Sequence, residues 1–533
     1  MKQDVKVGTW SDGSGEPYDK RWWMLGVLCL SLFVIVLDNS ILNVALPTIR
    51  NQLDATNSQL QWMVDSYTLV FAGLLLTAGS LGDRLGRLGA LQFGFVVFGL
   101  GSLASALANT SAQLIATRAF MGIGGAFIMP ATLSIITNVF PPHERGRAIG
   151  MWAGVAGLGV LGPLVGGVLV EHFYWGSIFL VNLPVVAFSL VAGAALIPTS
   201  RDPHPRKLDI AGALLSITGL TALLYGIIQA PDDGWTTGST LLAFALGALL
   251  IGAFFAWESH TDHPMLDLAF FRNPRFTAAS IAISLIFFAM FGSIFLFTQY
   301  FQFVLGYSAL GTGLRLMPWA ITMMILAPNS PRLVERFGTK VVVSSGLVLM
   351  ATGLVTMAGV GATTPYANII WRMVLMACGM GLTMAPATES IMGSLPLAKA
   401  GVGSAVNDTT RQVGGALGVA VVGSVAASLY SAHVGDAVAQ HAPVPPPPEA
   451  LEAIKSQIGA ALDIAQRFDV PQLADAARRS FVDGMHAGVL VAAAAALLGA
   501  VLTALWLPAR ARDEHVEAKA GETAAGEPVG TGA

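Results

Sequence analysis

Long apolar stretches recur along this chain, separated by short polar segments. Ala119–His143, Ala148–Val170, Ile210–Pro231, Gly234–Trp257, Gln412–Gly435 and Gly484–Ala509 each run without one Asp, Glu, Lys or Arg. A membrane-spanning helix needs about 20 mostly apolar residues, because the hydrocarbon layer is about 30 Å thick and each residue rises about 1.5 Å. On that measure the pattern predicts fourteen spans: 22–47, 62–82, 89–108, 113–137, 147–170, 176–197, 208–229, 239–257, 276–303, 310–328, 340–360, 367–392, 401–432 and 485–507. The expected fold class is therefore an all-α integral membrane protein with 14 transmembrane helices. The first span is not read as a cleaved leader. A polar tail precedes it, and it runs on through Asp38 rather than into a small-residue cleavage site.

Composition agrees. Hydrophobic residues make up 54% of the chain and charged residues 11%, against about 25% charged in a typical soluble domain. That excludes an ordinary soluble enzyme and a disordered chain. The formal charge of −3 gives no reason to expect a nucleic-acid partner. Cys29 and Cys378 lie in apolar runs, so neither a disulfide framework nor a zinc site is implied.

Basic residues also set an orientation. With the N-terminus placed in the cytoplasm, inside segments hold 20 of the 29 Lys and Arg, outside segments hold 5, and 4 lie within spans. Four of the five outside residues fall in one long loop at 433–484, a kind of segment the positive-inside rule does not govern. Both termini are thus expected in the cytoplasm of a multi-pass cell-membrane protein. In the long loop, Leu451, Ile454, Ile458 and Leu462 recur at helical spacing after a stiff run of prolines, which predicts an amphipathic helix.

The chain contains an internal repeat. Leu81-Gly-Asp-Arg-Leu-Gly-Arg87 follows the second span, and Leu333-Val-Glu-Arg-Phe-Gly-Thr-Lys340 follows the tenth. An offset of eight spans fits two pseudo-symmetric six-helix halves with two helices inserted between them, a recurring transporter plan. The expected divisions are a cytoplasmic tail at 1–21, an N-terminal six-helix bundle at 22–200, the insert at 201–260, a C-terminal bundle at 261–507, and a disordered cytoplasmic tail at 508–533.

Several motifs stand in order on these spans. They are LDNSILNVALP (Leu37–Pro47), QWMVDSYTL (Gln61–Leu69), GSLGDRLGR (Gly79–Arg87), ATRAFMGIGGA (Ala116–Ala126) and GLGVLGPLVGG (Gly157–Gly167). The C-terminal half adds YFQFVLGYSALGTGLRLMP (Tyr300–Pro318) and GVGSAVNDTTRQVGGALG (Gly401–Gly418). In these the chain resembles the major facilitator superfamily, specifically its fourteen-helix drug:proton antiporters, over about Leu25–Ala504. One departure is Trp175-Gly176-Ser177, where that family usually has Trp-Arg-Trp.

An ionised side chain in the bilayer core costs about 2.5–3.5 kcal/mol on insertion scales, so such groups face the protein interior and mark pathways. Asp38 lies 16 residues beyond Trp22, roughly 24 Å from the inner face. Arg118 lies 5 residues beyond Gln113, roughly 8 Å from the outer face. These depths nearly coincide, so the two can pair if their helices face each other, as the resemblance implies. It further implies a proton switch: Asp38 takes a proton from outside or a cationic cargo from inside, with Arg118 favouring its ionised form. A static ion pair between two helices is the plainer alternative.

Asp65 is either a second carboxylate on the cavity or an interfacial residue. Asp408 and Arg411, three apart on one helix face, make either a local ion pair or a cavity charge. Glu389 reads as a gate or loop contact. Arg315 and Arg372 lie near outer helix ends, where snorkelling is cheap. Gly162, Pro163, Gly166 and Gly167 predict a kink and close packing suited to an occluding seam between the halves. For Gly79, Asp83, Arg84, Gly86 and Arg87 the resemblance implies a conformational latch, with Asp83 on a neighbouring helix end or base.

The expected function is proton-coupled export of amphipathic, cationic or neutral small molecules by a transporter working as a monomer. Its partners are small-molecule substrates, protons and the lipid bilayer; no cofactor and no metal is implied. A dedicated exporter of one endogenous metabolite, lipid or siderophore is the alternative. A non-transporting sensor or scaffold would gain nothing from a costly buried acid. No nucleophile–base motif points to an enzyme, and no GxxxxGK[ST] loop points to ATP drive.

Overall fold

The computed structural model describes residues 18–200, 209–441 and 447–509. The expectations for the remainder of the two tails and for the proline run lie largely outside the described residues. In chain order the α-helices are α1 (Arg21–Gln52), α2 (Asn57–Leu85), α3 (Arg87–Ala106), α4 (Ser111–Val139), α5 (Pro142–Val155), α6 (Leu161–His172), α7 (Ser177–Leu180), α8 (Asn182–Leu196), α9 (Ile210–Asp233) and α10 (Gly238–Glu258). They continue as α11 (Pro274–Gln299), α12 (Ala309–Phe337), α13 (Thr339–Met357), α14 (Tyr366–Gly393), α15 (Ala400–His441), α16 (Pro448–Ser456), α17 (Ile458–Arg467) and α18 (Pro471–Trp506). Among the described residues, twelve of these, and α7 with α8 taken together, are long and apolar enough to cross a membrane, and α5 with α6 makes a fourteenth span bent by 43°.

The short polar turns that end one span start the next. Thr56 accepts from the Gln59 backbone while the Gln59 side chain returns to the Thr56 N–H. Thr110, Asn273 and Ser308 cap α4, α11 and α12 in the same spirit. Such caps satisfy backbone donors that a helix end leaves free.

Three features differ from the sequence reading. The fifth and sixth spans are each two helices, joined by a 3-10 turn at Ala156–Val160 and by a break at Val181. The last two long helices overrun their predicted spans: α15 reaches His441 and α18 begins at Pro471. An apolar count finds the hydrocarbon layer, not the length of helix that continues beyond it. The expected external helix is two, α16 and α17, because Gln457 between them is extended (φ −149°, ψ 132°).

α1–α8 pack as one bundle and α11–α15 with α18 as another, meeting through α5 with α12 and α14, and through α15 with α2 and α4. The inserted α9 lies against both α2 and α15, so it covers a line where the bundles meet. Its Leu224 and Ile227 pack with Leu69, Ala72 and Ala420, and Trp235 donates to the Ser424 hydroxyl at 2.9 Å. Helix α10 sits outside it and exposes Leu241, Leu242, Leu246 and Leu249, a surface suited to lipid.

The repeat is visible in the backbone. Gly86 (φ +117°) and Gly338 (φ +84°) each end one helix and start the next. A side chain at either φ would be strained, so both copies keep glycine.

Candidate functional site

Asp38 on α1 and Arg118 on α4 are both fully buried and paired at 2.5 Å, Nη1 to Oδ2. The depth argument thus brings together two residues 80 positions apart. Arg118 also donates from Nε to the Met63 carbonyl at 3.1 Å, and its guanidinium lies 4.5 Å from the Tyr67 ring centroid. The second carboxylate oxygen accepts from Asn182 Nδ2 at 2.9 Å. The same amide donates to Ser102 Oγ at 3.1 Å, and Ser102 donates to the Phe179 carbonyl at 2.8 Å. Asn182 and Ser102 are fully buried. Sequence reading missed both: an Asn inside Phe-Leu-Val-Asn-Leu-Pro (Phe179–Pro184) carries no charge to mark it.

The C-terminal bundle carries a looser pair. Arg411 stands 3.6 Å from Asp408, at the expected i, i+3 spacing on α15. Arg411 Nη2 donates to Thr388 at 3.1 Å, Thr388 to Asn407 at 3.2 Å, and Asn407 to Asp408 at 3.2 Å. Its guanidinium also lies 5.0 Å from the ring of Trp152, which belongs to α5 in the other bundle. The pair is therefore not a purely local one: it is closed by a side chain from across the seam. Asp65 is half-buried in the first half of α2.

At the end bearing both termini, α2 meets the start of α15. Asp83 is buried and accepts from the backbone N–H groups of Gly401 at 2.9 Å and Val402 at 3.1 Å. Arg87 grips the same carboxylate at 2.8 Å and donates to the Leu397 carbonyl. An anion at a helix N-terminus meets free donors and the positive end of the dipole. Gly79 faces Gly401 so closely that a Cβ on either would lie 2.5 Å from the other's carbonyl oxygen. Arg84 is half-buried beside them. Nearby, Gly146 on α5 abuts the Glu389 carboxylate of α14.

The glycine-rich segment divides its labour differently from the expectation. Gly162 and Gly166 face Ser40 and Ile41 of α1, within their own bundle, and Gly167 faces open space. The seam is lined by Gly150, Gly154 and Gly157, which abut Ala327, Met324 and Ala320 of α12. The expected kink is present as the 43° bend, with Pro163 inside the break between Gly159 and Leu164.

Comparison with known proteins gives one answer. The Major Facilitator Superfamily profile matches residues 28–419. The multidrug efflux pump LfrA of Mycolicibacterium smegmatis is 35% identical over 492 residues, covering 90% of this chain and 96% of that protein. The multidrug resistance protein Stp of Mycobacterium tuberculosis is 32% identical, covering 91% of each. The proton:xylose symporter XylE shares the fold at 14% identity, with a TM-score of 0.58 over 94% of this chain and 98% of that one. A fourteen-span chain with a buried acid–arginine pair and a glycine-lined seam between two bundles belongs to the Major Facilitator Superfamily.

Proposed function

We propose that this chain exports amphipathic, cationic or neutral small molecules in exchange for protons, by alternating access between its two bundles. The observation that carries this reading is the Asp38–Arg118 pair, fully buried at mid-span. Burying a carboxylate is costly unless it is paired, and a group so placed responds sharply to any change in its surroundings. The adjacent Asn39 is an exposed polar side chain at the same depth. Rocking of the bundles changes which side of the membrane has access to Asp38. Its carboxyl then takes a proton from the outer side and yields it to the inner side, cargo crossing the other way.

The termini are placed in the cytoplasm, as the distribution of Lys and Arg favours. The contacts of Asp83 with α15, and of α5 with α12, then close the cytoplasmic end, so this conformation is the outward-facing one. Likeness to efflux and resistance proteins supports export over uptake.

The test is reconstitution in lipid vesicles with an imposed pH gradient and a panel of cationic and neutral compounds. Gradient-driven export and substrate-induced proton release are expected, and Asp38→Asn abolishes both. Full gradient-driven export by that variant removes Asp38 as the coupling group.

A further inference from the structure

The hydrogen bonds around Asp38 have a direction. Ser102 has one hydroxyl proton, and it goes to the Phe179 carbonyl at 2.8 Å, which can only accept. Ser102 must therefore accept from Asn182, which it does at 3.1 Å. Asn182 thus spends both N–H groups as donors, one on Ser102 and one on Asp38. Its own oxygen Oδ1 is buried and meets no hydrogen-bond donor. On the other side of the carboxyl, Arg118 can donate but never accept. Asp38 is enclosed by donors, an arrangement that fits only its ionised form.

We propose that Asn182 is a positioning residue that senses the protonation of Asp38 and relays it to the joint between α7 and α8. This rests on the reading of Asp38 as the proton-exchanging carboxyl. When Asp38 takes a proton, the carboxyl becomes a donor facing a donor. Turning the Asn182 amide by half a turn presents Oδ1 instead, and the idle acceptor is then used. Ser102 now faces the same oxygen, so its hydroxyl turns toward Asn182 and releases the Phe179 carbonyl. No covalent bond changes except at the carboxyl, which gains one proton from water. Phe179 lies on the four-residue helix α7, and Asn182 begins α8 immediately after the break at Val181. The released carbonyl therefore lies in a four-residue helix beside that break.

The charged and titratable groups facing Asp38 are Arg118 from α4 and Tyr67 from α2. Those of α5 and α6 stand away from this depth: His143, Glu144, Arg145 and Arg147 in the first two turns of α5, Glu171 and His172 in the last turn of α6.

The test follows the Asp38 carboxyl by infrared difference spectroscopy of the full chain in lipid, its band identified by loss in Asp38→Asn. In Asn182→Leu the pH at which this band half-appears is expected to rise by about one unit or more, since one hydrogen bond to the charged form is removed. In Ser102→Ala the amide turns more freely, and a smaller rise is expected. Unchanged midpoints in both variants overturn the proposal, whatever happens to transport rates. An Asp38 band that titrates at no pH the protein survives overturns it as well. Should Asn182→Leu fail to fold, Ser102→Ala decides alone. If midpoints move while export ignores acidity, proton antiport falls and the role of Asn182 stands.

Discussion

In the N-terminal bundle, Asp38 and Arg118 lie 2.5 Å apart, and their other hydrogen bonds go to Asn182 and Met63 of that same bundle. In the C-terminal bundle, Asp408 and Arg411 lie 3.6 Å apart, and the arginine rests on Trp152 of the opposite bundle. Both acids are buried, yet the rocking of rigid bundles treats them differently. The first pair moves as a body and keeps its direct partners. The second loses the Trp152 face as soon as α5 moves away, and keeps only the Phe287 ring of α11 in its own bundle, 5.3 Å from Arg411. A buried, desolvated cation over an aromatic face gains about 2 kcal/mol, and the part owed to Trp152 exists only while the bundles are shut at the end that carries Asp83. The N-terminal pair is thus suited to chemistry, and the C-terminal pair to holding a conformation. The loop repeat shows the same asymmetry: Asp83 is buried against α15, whereas its counterpart Glu335 is exposed on the other side of the pseudo-symmetry.

The largest effect is expected at Asp83. Hydrogen bonds to a charged group contribute about 1.5–3 kcal/mol net. Asp83→Asn removes that charge from Arg87 and from the start of α15, so the closed population should fall about thirtyfold. Distances between spin labels across the end that carries Asp83 measure it; an unchanged distribution would show that the docking is incidental. Trp152→Leu comes next. It removes the one aromatic face that reaches Arg411 from the other bundle, leaving Phe287, and should lower the closed population about tenfold, with Trp152→Phe recovering part of the loss. If Phe and Leu behave alike, packing rather than the ring face holds the seam there.

How much of this was legible in advance depended on whether the feature was local. Asp38 and Arg118 could be matched because depth along a helix is arithmetic. The span count and the break near Pro163 also follow from short-range pattern. Asp408 and Arg411 were visible as a helical pair, but Trp152 was not, since its meeting with them depends on how two bundles abut. Asn182 hid for a related reason: its work is done by two N–H groups pointing at residues 80 and 144 positions away. Gly162 and Gly166 were assigned to the seam because glycine spacing announces close packing without naming the partner. Gly150, Gly154 and Gly157 hold that place instead.

Glu335 supplies the smallest effect and the sharpest control. It occupies the repeat position of Asp83, with Gly338 shaping the same turn three residues later. Among the described residues it makes no hydrogen bond or ion pair, and it stands in solvent. An exposed carboxylate that touches nothing contributes little in the conformation where it is found. Glu335→Gln should therefore leave the closed population where it is, in the same spin-label measurement that registers Asp83→Asn. Were the repeat symmetric in energy as well as in sequence, the two variants would act alike. An opposite shift, toward the closed state, would instead place Glu335 as the latch of the inward-facing form.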